Sequence, residues 1–155
     1  MLGGGFARYT ERLMERQKAN GFDAMVSRLR SVPPGYMVAI MAGVNVNENW
    51  IHHEDLRRAN GDGPRPEDPE VASVLLGVIR WLGRFQTRAV KPHSVRLALP
   101  DGSEHELRAG DDRAVLRGPI GECALHLSGR RSAARVELDG DPAAVEAPRT
   151  APLGG

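Results

Sequence analysis

The sequence lacks most of the features that would assign it to a specialised class of protein. It has one cysteine in 155 residues, which excludes an intramolecular disulfide and fits a reducing compartment. Its formal net charge is +1, so no overall charge attracts the chain to nucleic acid or to anionic lipid. The longest uncharged apolar run, residues 36–44, is too short to span a bilayer. These absences predict a soluble, cytoplasmic protein that binds neither nucleic acid nor membrane.

Aromatic residues and methionines are present, but only in the first part of the chain. Every Trp, Tyr, Phe and Met precedes residue 90, and the remainder is rich in Val, Leu, Ala, Gly and Arg. Pro92 lies where the composition changes. We therefore expect an α+β protein with a helical unit over residues 1–91, a small mixed α/β unit over 92–150 and a tail over 151–155.

Helix signals dominate the first unit. Apolar periodicity and stop signals predict helices over 8–19, from Asp23 to about residue 32, and over about 45–59, whereas residues 36–44 have no assignable period. A fourth helix should follow the N-cap Asp68, with arginines on its solvated side. Its predicted apolar stripe consists of Val71, Val74, Leu75, Val78, Leu82 and Phe85.

After Pro92 the apolar period changes from helical spacing to the alternation that is typical of strands. Two helices are expected among the strands, one opening at Pro119 and one at Asp141-Pro142. The predicted strands cover residues 95–99, 104–108, 113–117 and 135–138.

The segment NENWIHHEDLRRANG, residues 47–61, is the strongest candidate for a functional site. On a helix, Glu48, His52 and Asp55 lie on one side, while His53 and Glu54 point away from them. A carboxylate and an imidazole four residues apart can bind a divalent metal or act as an acid–base pair. The same spacing also suits the polar side of a surface helix, so the residues alone leave these three interpretations open.

Two further groups of polar residues lie in the second unit. Cys123 falls on the apolar side of the helix that follows Pro119, which predicts a buried, unreactive thiol; His126 lies three residues further on. Arg130-Arg131 fits either a site for an anionic thiol cofactor or a charged turn after Gly129.

Three segments resemble a known family. GFARYTERL, VNENWIHHEDLRRANGDGPRP and LHLSGRRSAARVELDGDPAAV are similar, in this order, to the DinB-like metal-binding proteins of actinobacteria that are related to mycothiol-dependent maleylpyruvate isomerase. In that family a four-helix bundle holds a divalent metal, usually zinc, and a small α/β domain follows. The metal ligands are a histidine on the first helix and an E-x-x-x-H motif on a later one. The resemblance therefore implies that Glu48 and His52 are metal ligands.

The resemblance also implies a function. The implied function is a metal- and mycothiol-dependent isomerase or transferase that acts on a small-molecule thiol or organic acid. Asp55 or His53 would then hold the metal ligands in position. The chain begins after the family's first helix, so we expect either a truncated member with an incomplete metal site or a longer protein whose start codon lies upstream. Its uncovered apolar flank should favour a homo-oligomer. A non-catalytic small-molecule-binding or interaction protein is the alternative.

Overall fold

The computed structural model describes residues 15, 21, 27, 35–151 and 153, with the side chains of 36, 37, 39 and 40 left out. The chain divides into two compact units, residues 1–39 and 40–155. Nearly all described residues belong to the second unit, and residues 35–39, at the start of a helix, belong to the first. Except for Glu15 and Ser27, which are helical, the helices predicted over 8–19 and from Asp23 lie outside the described residues.

Helix α1 spans Gly35–Ala59 and carries the candidate site. It includes the run 36–44, to which the sequence assigned no structure. Gly43 explains part of that difficulty, because a Cβ there would lie 2.9 Å from Val78 Cγ2; a glycine that packs against a neighbour adds nothing to a hydrophobic period. The helix ends as predicted, at a turn in which Gly61 has a φ of +84°.

Helix α2 spans Pro69–Gln86, and its predicted start is confirmed. The Asp68 side chain accepts hydrogen bonds from the backbone N–H groups of Glu70 and Val71, at 2.9 and 3.2 Å, as an N-cap should. A 3₁₀ turn over Arg88–Val90 follows the helix.

The predicted apolar stripe of α2 is partly wrong. Val74 and Phe85 are 40% and 68% exposed, whereas Ile79 and Gly83 are buried. The buried side is set by Gly83, where an added Cβ would lie 3.0 Å from the Leu107 side chain on the sheet. The helix therefore packs through a glycine, a residue that a search for apolar side chains does not count.

A four-stranded mixed sheet follows, in the order β2-β1-β3-β4. Its strands are Ser94–Ala98, Glu104–Arg108, Arg113–Arg117 and Glu137–Gly140. Strand β1 is parallel to β3 and antiparallel to β2, and β3 is antiparallel to β4. The last strand begins two residues later than predicted, because the Arg135 backbone N–H donates to Glu122 Oε2, at 2.7 Å, instead of joining the sheet.

The connection from β2 to β3 crosses the start of β1 within four residues, 109–112. Gly110 makes this possible, since a Cβ there would lie 2.2 Å from the Pro92 carbonyl oxygen. Asp112 then accepts a hydrogen bond from the Ser94 backbone N–H at 2.7 Å. This short crossover places β3 beside β1 and fixes the centre of the sheet.

Two helices complete the unit, α3 over Ile120–Leu127 and α4 over Pro142–Thr150. Every residue of α3 is buried, and α3 joins α2 and the sheet in one hydrophobic core. That core includes Leu75, Ile79, Val90, Val95, Leu97, Leu107, Leu116, Ile120 and Leu127. The predicted α+β class, with helices preceding a small mixed sheet, is confirmed.

The predicted division into residues 1–91, 92–150 and 151–155 stays a prediction.

Among the described residues, no helix combines the length and the apolar character that a membrane span requires.

Candidate functional site

Helix α1 brings the three predicted site residues together on one side. Glu48 Oε2 lies 3.7 Å from His52 Nε2, and Asp55 Oδ2 lies 3.9 Å from His52 Nδ1. Each ring nitrogen therefore faces a carboxylate. The side chains of His52 and Glu48 are 66% and 57% exposed, so solvent and ligands can reach the imidazole.

Arg130 connects this side of α1 to the segment that follows α3. Its Nε and Nη2 donate to Asp55 Oδ2 at 3.3 and 3.2 Å. Its Nη1 donates to the Ser128 carbonyl at 2.8 Å, and Gly129, with a φ of +85°, makes the turn that places the side chain there. The arginine thus holds the carboxylate that faces His52.

His53 lies beside the trio rather than within it. Its Nδ1 accepts a hydrogen bond from Arg65 Nη2, and the Arg65 guanidinium lies 5.0 Å from the centre of the Trp50 ring. An open groove of about 480 Å³ runs past His52, His53, Leu56 and Trp50. Both histidines reach this groove, although only His52 faces Glu48.

A second cavity, of about 220 Å³, shares Trp50 and Arg65 with this groove. Its walls come from the first turns of α2 and α3, and Gly121 lets the indole approach, since a Cβ there would lie 2.5 Å from Trp50 Cζ2. The Trp50 Nε1–H is buried and has no hydrogen-bond partner among the described residues. The cavity therefore combines mostly apolar walls with a few charged side chains, an arrangement that suits a small organic molecule.

The other side of α1 carries a buried ionic cluster that the sequence did not predict. Arg58 donates from Nη2 and Nη1 to the two oxygens of Glu122, at 2.5 and 3.2 Å. It also donates to Glu54 Oε2 at 3.2 Å and to the Ala133 carbonyl. Glu54 and Glu122 are 0% and 7% exposed. Hydrogen bonding to Glu122 raises the pKa of Arg58 despite its burial, so the guanidinium stays charged.

Two more arginines complete the cluster. Arg57 Nε and Arg65 Nε each lie 3.4 Å from Glu54 Oε1. The spacing of Glu54 and Arg58, four residues apart on a helix, was a signal for their pairing. Their partner Glu122 is 64 positions from Arg58, and no local pattern reveals it.

Cys123 is buried and unreactive in character, as predicted. Its side chain is 0% exposed, and burial raises the pKa of the thiol to about 12. The Sγ–H donates to the Gly118 carbonyl at 3.6 Å. His126 is also buried, and loss of hydration lowers the pKa of its imidazole. A neutral thiol of this kind is neither a nucleophile nor a metal ligand at neutral pH.

The geometry on α1 fits two positions of a metal site. In a tetrahedral zinc site with bonds of about 2.1 Å, neighbouring ligand atoms lie about 3.4 Å apart. The Glu48–His52 separation of 3.7 Å needs only a small adjustment. Within the part of the chain that the structure describes, no group of three His, Cys, Asp or Glu residues could hold a metal ion, so these two side chains would leave the remaining positions to water or to another molecule.

Residues 75–147 match a family model described as the MDMPI C-terminal domain, where MDMPI denotes mycothiol-dependent maleylpyruvate isomerase. The match runs from the second turn of α2 into α4 and includes Arg130, but not Glu48 or His52. It supports a relation of this region to that family. No curated protein and no solved structure gives a significant match to the chain.

Proposed function

We propose that this chain is a metal-binding protein related to mycothiol-dependent maleylpyruvate isomerase, and that Glu48 and His52 bind a divalent metal, most suitably zinc. One observation carries the proposal: Arg130, inside the matched region, holds Asp55 against the candidate ligand His52. An arginine of the C-terminal domain thereby orients the site on helix α1.

The residues have distinct roles in such a site. Zinc bound there would lower the pKa of a coordinated thiol, so that mycothiol or a similar thiol would react as the thiolate. His52 offers Nε2 on the Glu48 side. Asp55, on the Nδ1 side, favours the tautomer that keeps Nε2 free for the metal. Arg130 holds the Asp55 carboxylate in place through two hydrogen bonds.

The groove beside His52 is the proposed binding place for the organic substrate. Leu56 and Trp50 provide apolar walls, and Arg65 provides a positive charge at their edge. A small organic acid or an acidic thiol suits this combination. The reaction class that we propose is an isomerisation or a group transfer with a thiol cofactor, in the cytoplasm and without a nucleic-acid or membrane partner.

Zinc titration of the full chain tests the metal site. We expect weak binding by the parent, because two protein ligands leave the coordination sphere open. The variants His52→Ala and Glu48→Gln should lose that binding, whereas the neighbouring His53→Ala should keep it. Loss of binding in His53→Ala with retention in His52→Ala would contradict the proposal, and so would equal binding by all four proteins.

A second candidate function is that of a non-catalytic interaction protein. The outer side of α2 exposes Val74, Trp81 and Phe85, at 40%, 53% and 68%, and Met41 of α1 is 45% exposed. Residues 74, 81 and 85 recur at helical spacing and form one apolar surface. Exposed apolar surface of this kind favours association, so we propose a homo-oligomer formed through this side of α2.

Sedimentation velocity over a range of concentrations tests this association. The parent should sediment as a concentration-dependent oligomer, and the double variant Trp81→Glu/Phe85→Glu as a monomer. Arg80→Glu adds a carboxylate next to this surface and should leave the association intact. A parent that is monomeric at every concentration would contradict the homo-oligomer.

A further inference from the structure

A separate pocket opens between α3, the segment 130–136, β4 and α4. It is an open pocket of about 250 Å³, and it shares no lining residue with the groove beside His52. Its lining is formed by His126, Arg131, Ala134, Val136, Leu138 and Arg149. The volume suits a molecule of a few heavy atoms.

His126 is the first unusual feature of this pocket. Its side chain belongs to the wholly buried helix α3 and is 4% exposed. Within the described residues neither ring nitrogen makes a hydrogen bond of standard geometry, and the Pro148 carbonyl offers only a weak one. Polar groups that are buried this deeply are almost always hydrogen-bonded, because leaving one unsatisfied costs about 1–3 kcal/mol. The imidazole N–H, held only weakly by Pro148, is therefore available to a stronger acceptor in the pocket.

Arg131 is the second unusual feature. Its Nε and Nη2 are both buried, and neither has a hydrogen-bond partner in the part of the chain that the structure describes. These two nitrogens lie on one edge of the guanidinium and donate in parallel, which matches the two oxygens of a carboxylate. The preceding residue, Arg130, already uses the same edge, since its Nε and Nη2 both donate to Asp55. The equivalent edge of Arg131 has no such acceptor.

The rest of the lining restricts the chemistry of the ligand. Arg149 adds a second positive charge, and none of the described residues that line the pocket is acidic. Ala134, Val136 and Leu138 form an apolar wall that would disfavour a compact dianion, because oxygens facing that wall would lose their hydration. A single anionic head with a short apolar body satisfies both parts of the lining.

We propose that this pocket binds a small monocarboxylic acid, with its carboxylate on the Nε/Nη2 edge of Arg131 and the N–H of His126, and its apolar part against Val136 and Leu138. The pocket is a second ligand site, distinct from the proposed metal site. It does not depend on zinc binding by Glu48 and His52.

Titration with butyrate, followed by two-dimensional NMR of the full chain, tests the proposal. Butyrate should shift the signals of His126, Val136 and Leu138 saturably, and butyramide, which has the same shape without the charge, should not. Arg131→Lys keeps the charge but loses the paired donors, and should weaken butyrate binding at least about tenfold. His126→Gln should weaken it as well. Arg80→Gln, which removes a charge from the exposed side of α2, should bind butyrate like the parent.

Three results would overturn this assignment. The first is the absence of saturable shifts in the pocket, and the second is equal butyrate binding by the parent and Arg131→Lys. The third is tighter binding of inorganic phosphate than of butyrate at the same residues. If His126→Gln does not fold, the comparison of Arg131→Lys with the parent decides alone. Arg131→Lys should also bind zinc like the parent, which separates this proposal from that of the metal site.

Discussion

The two sides of helix α1 use similar residues in opposite ways. On one side Arg58 lies between the buried carboxylates of Glu54 and Glu122, and each of these has at least one arginine within hydrogen-bonding or ion-pair distance. On the other side His52 lies between the carboxylates of Glu48 and Asp55 at 3.7 and 3.9 Å and stays 66% exposed. The first arrangement is closed, whereas the second leaves an imidazole nitrogen available.

Burial explains this difference. A charge that leaves water loses several kcal/mol of hydration and persists only when partners replace that hydration. The buried side therefore has to complete its pairs within the protein, which makes it structural. The exposed side has no such requirement, so its lone pairs can serve a ligand. The same segment of sequence thus contributes to the stability of the fold and to the candidate site.

The largest predicted effect follows from breaking the buried side. Arg58→Gln leaves the carboxylates of Glu54 and Glu122 without their shared cation, and should lower the free energy of unfolding by about 3 kcal/mol or more. Urea denaturation of the parent and of Arg58→Gln measures this loss of stability. Arg80→Gln, a matched loss of charge on an exposed surface, should cost less than about 0.5 kcal/mol. Similar losses in both variants would mean that the buried cluster has no special role.

A pH dependence distinguishes buried from exposed histidines. Burial lowers the pKa of His126 from its ordinary value of 6.5. Just below pH 6.5 the imidazole is therefore protonated in the unfolded chain but still neutral in the folded chain. Stability from this residue is complete above pH 6.5 and declines as the pH falls towards the lowered pKa. His126→Gln should have a shallower loss of stability below pH 6.5 in urea denaturation. Parallel profiles for parent and variant would contradict this.

On the exposed side, the loss of Arg130 should change the stability of the fold much less. Arg130 and Asp55 are 35% and 37% exposed, and pairs of this kind contribute about 0–1 kcal/mol. Arg130→Gln should therefore barely change the urea midpoint. It should weaken zinc binding, because Asp55 is then free to turn away from His52. A large loss of stability in Arg130→Gln would remove the distinction between the two sides of α1.

The smallest predicted effect concerns Cys123. With its pKa raised to about 12, the thiol should resist alkylation by iodoacetamide at pH 8 in the folded protein and react at once in urea. Zinc binding should be the same for Cys123→Ala and the parent. Rapid alkylation of the folded protein would show that the helix α3 opens far more readily than its burial implies.

Much of the local structure was predictable from the sequence. Asp68-Pro69 marked the start of α2, and alternation after Pro92 marked the first strands, because caps and periods depend on neighbouring residues. The grouping of Glu48 with His52 and Asp55 followed from helical spacing alone.

The features that escaped prediction depend on contacts between distant residues. Gly83 sets the buried side of α2 through Leu107, and Glu122 displaces the start of β4 by accepting from the Arg135 backbone. The pairing of Arg58 with Glu122 and that of Arg130 with Asp55 likewise join distant segments. Spacing within one helix contains no information about such partners.

Imidazole nitrogen chemical shifts during a zinc titration test the central claim most directly. The chain has five histidines, so their ring signals can be assigned by single substitutions. Zinc should shift the Nε2 signal of His52 towards a metal-bound value with Nδ1 protonated, while the signals of His53 and the buried His126 stay unchanged. A metal-bound signal for His53, or no change at His52 when zinc saturates the protein, would contradict it.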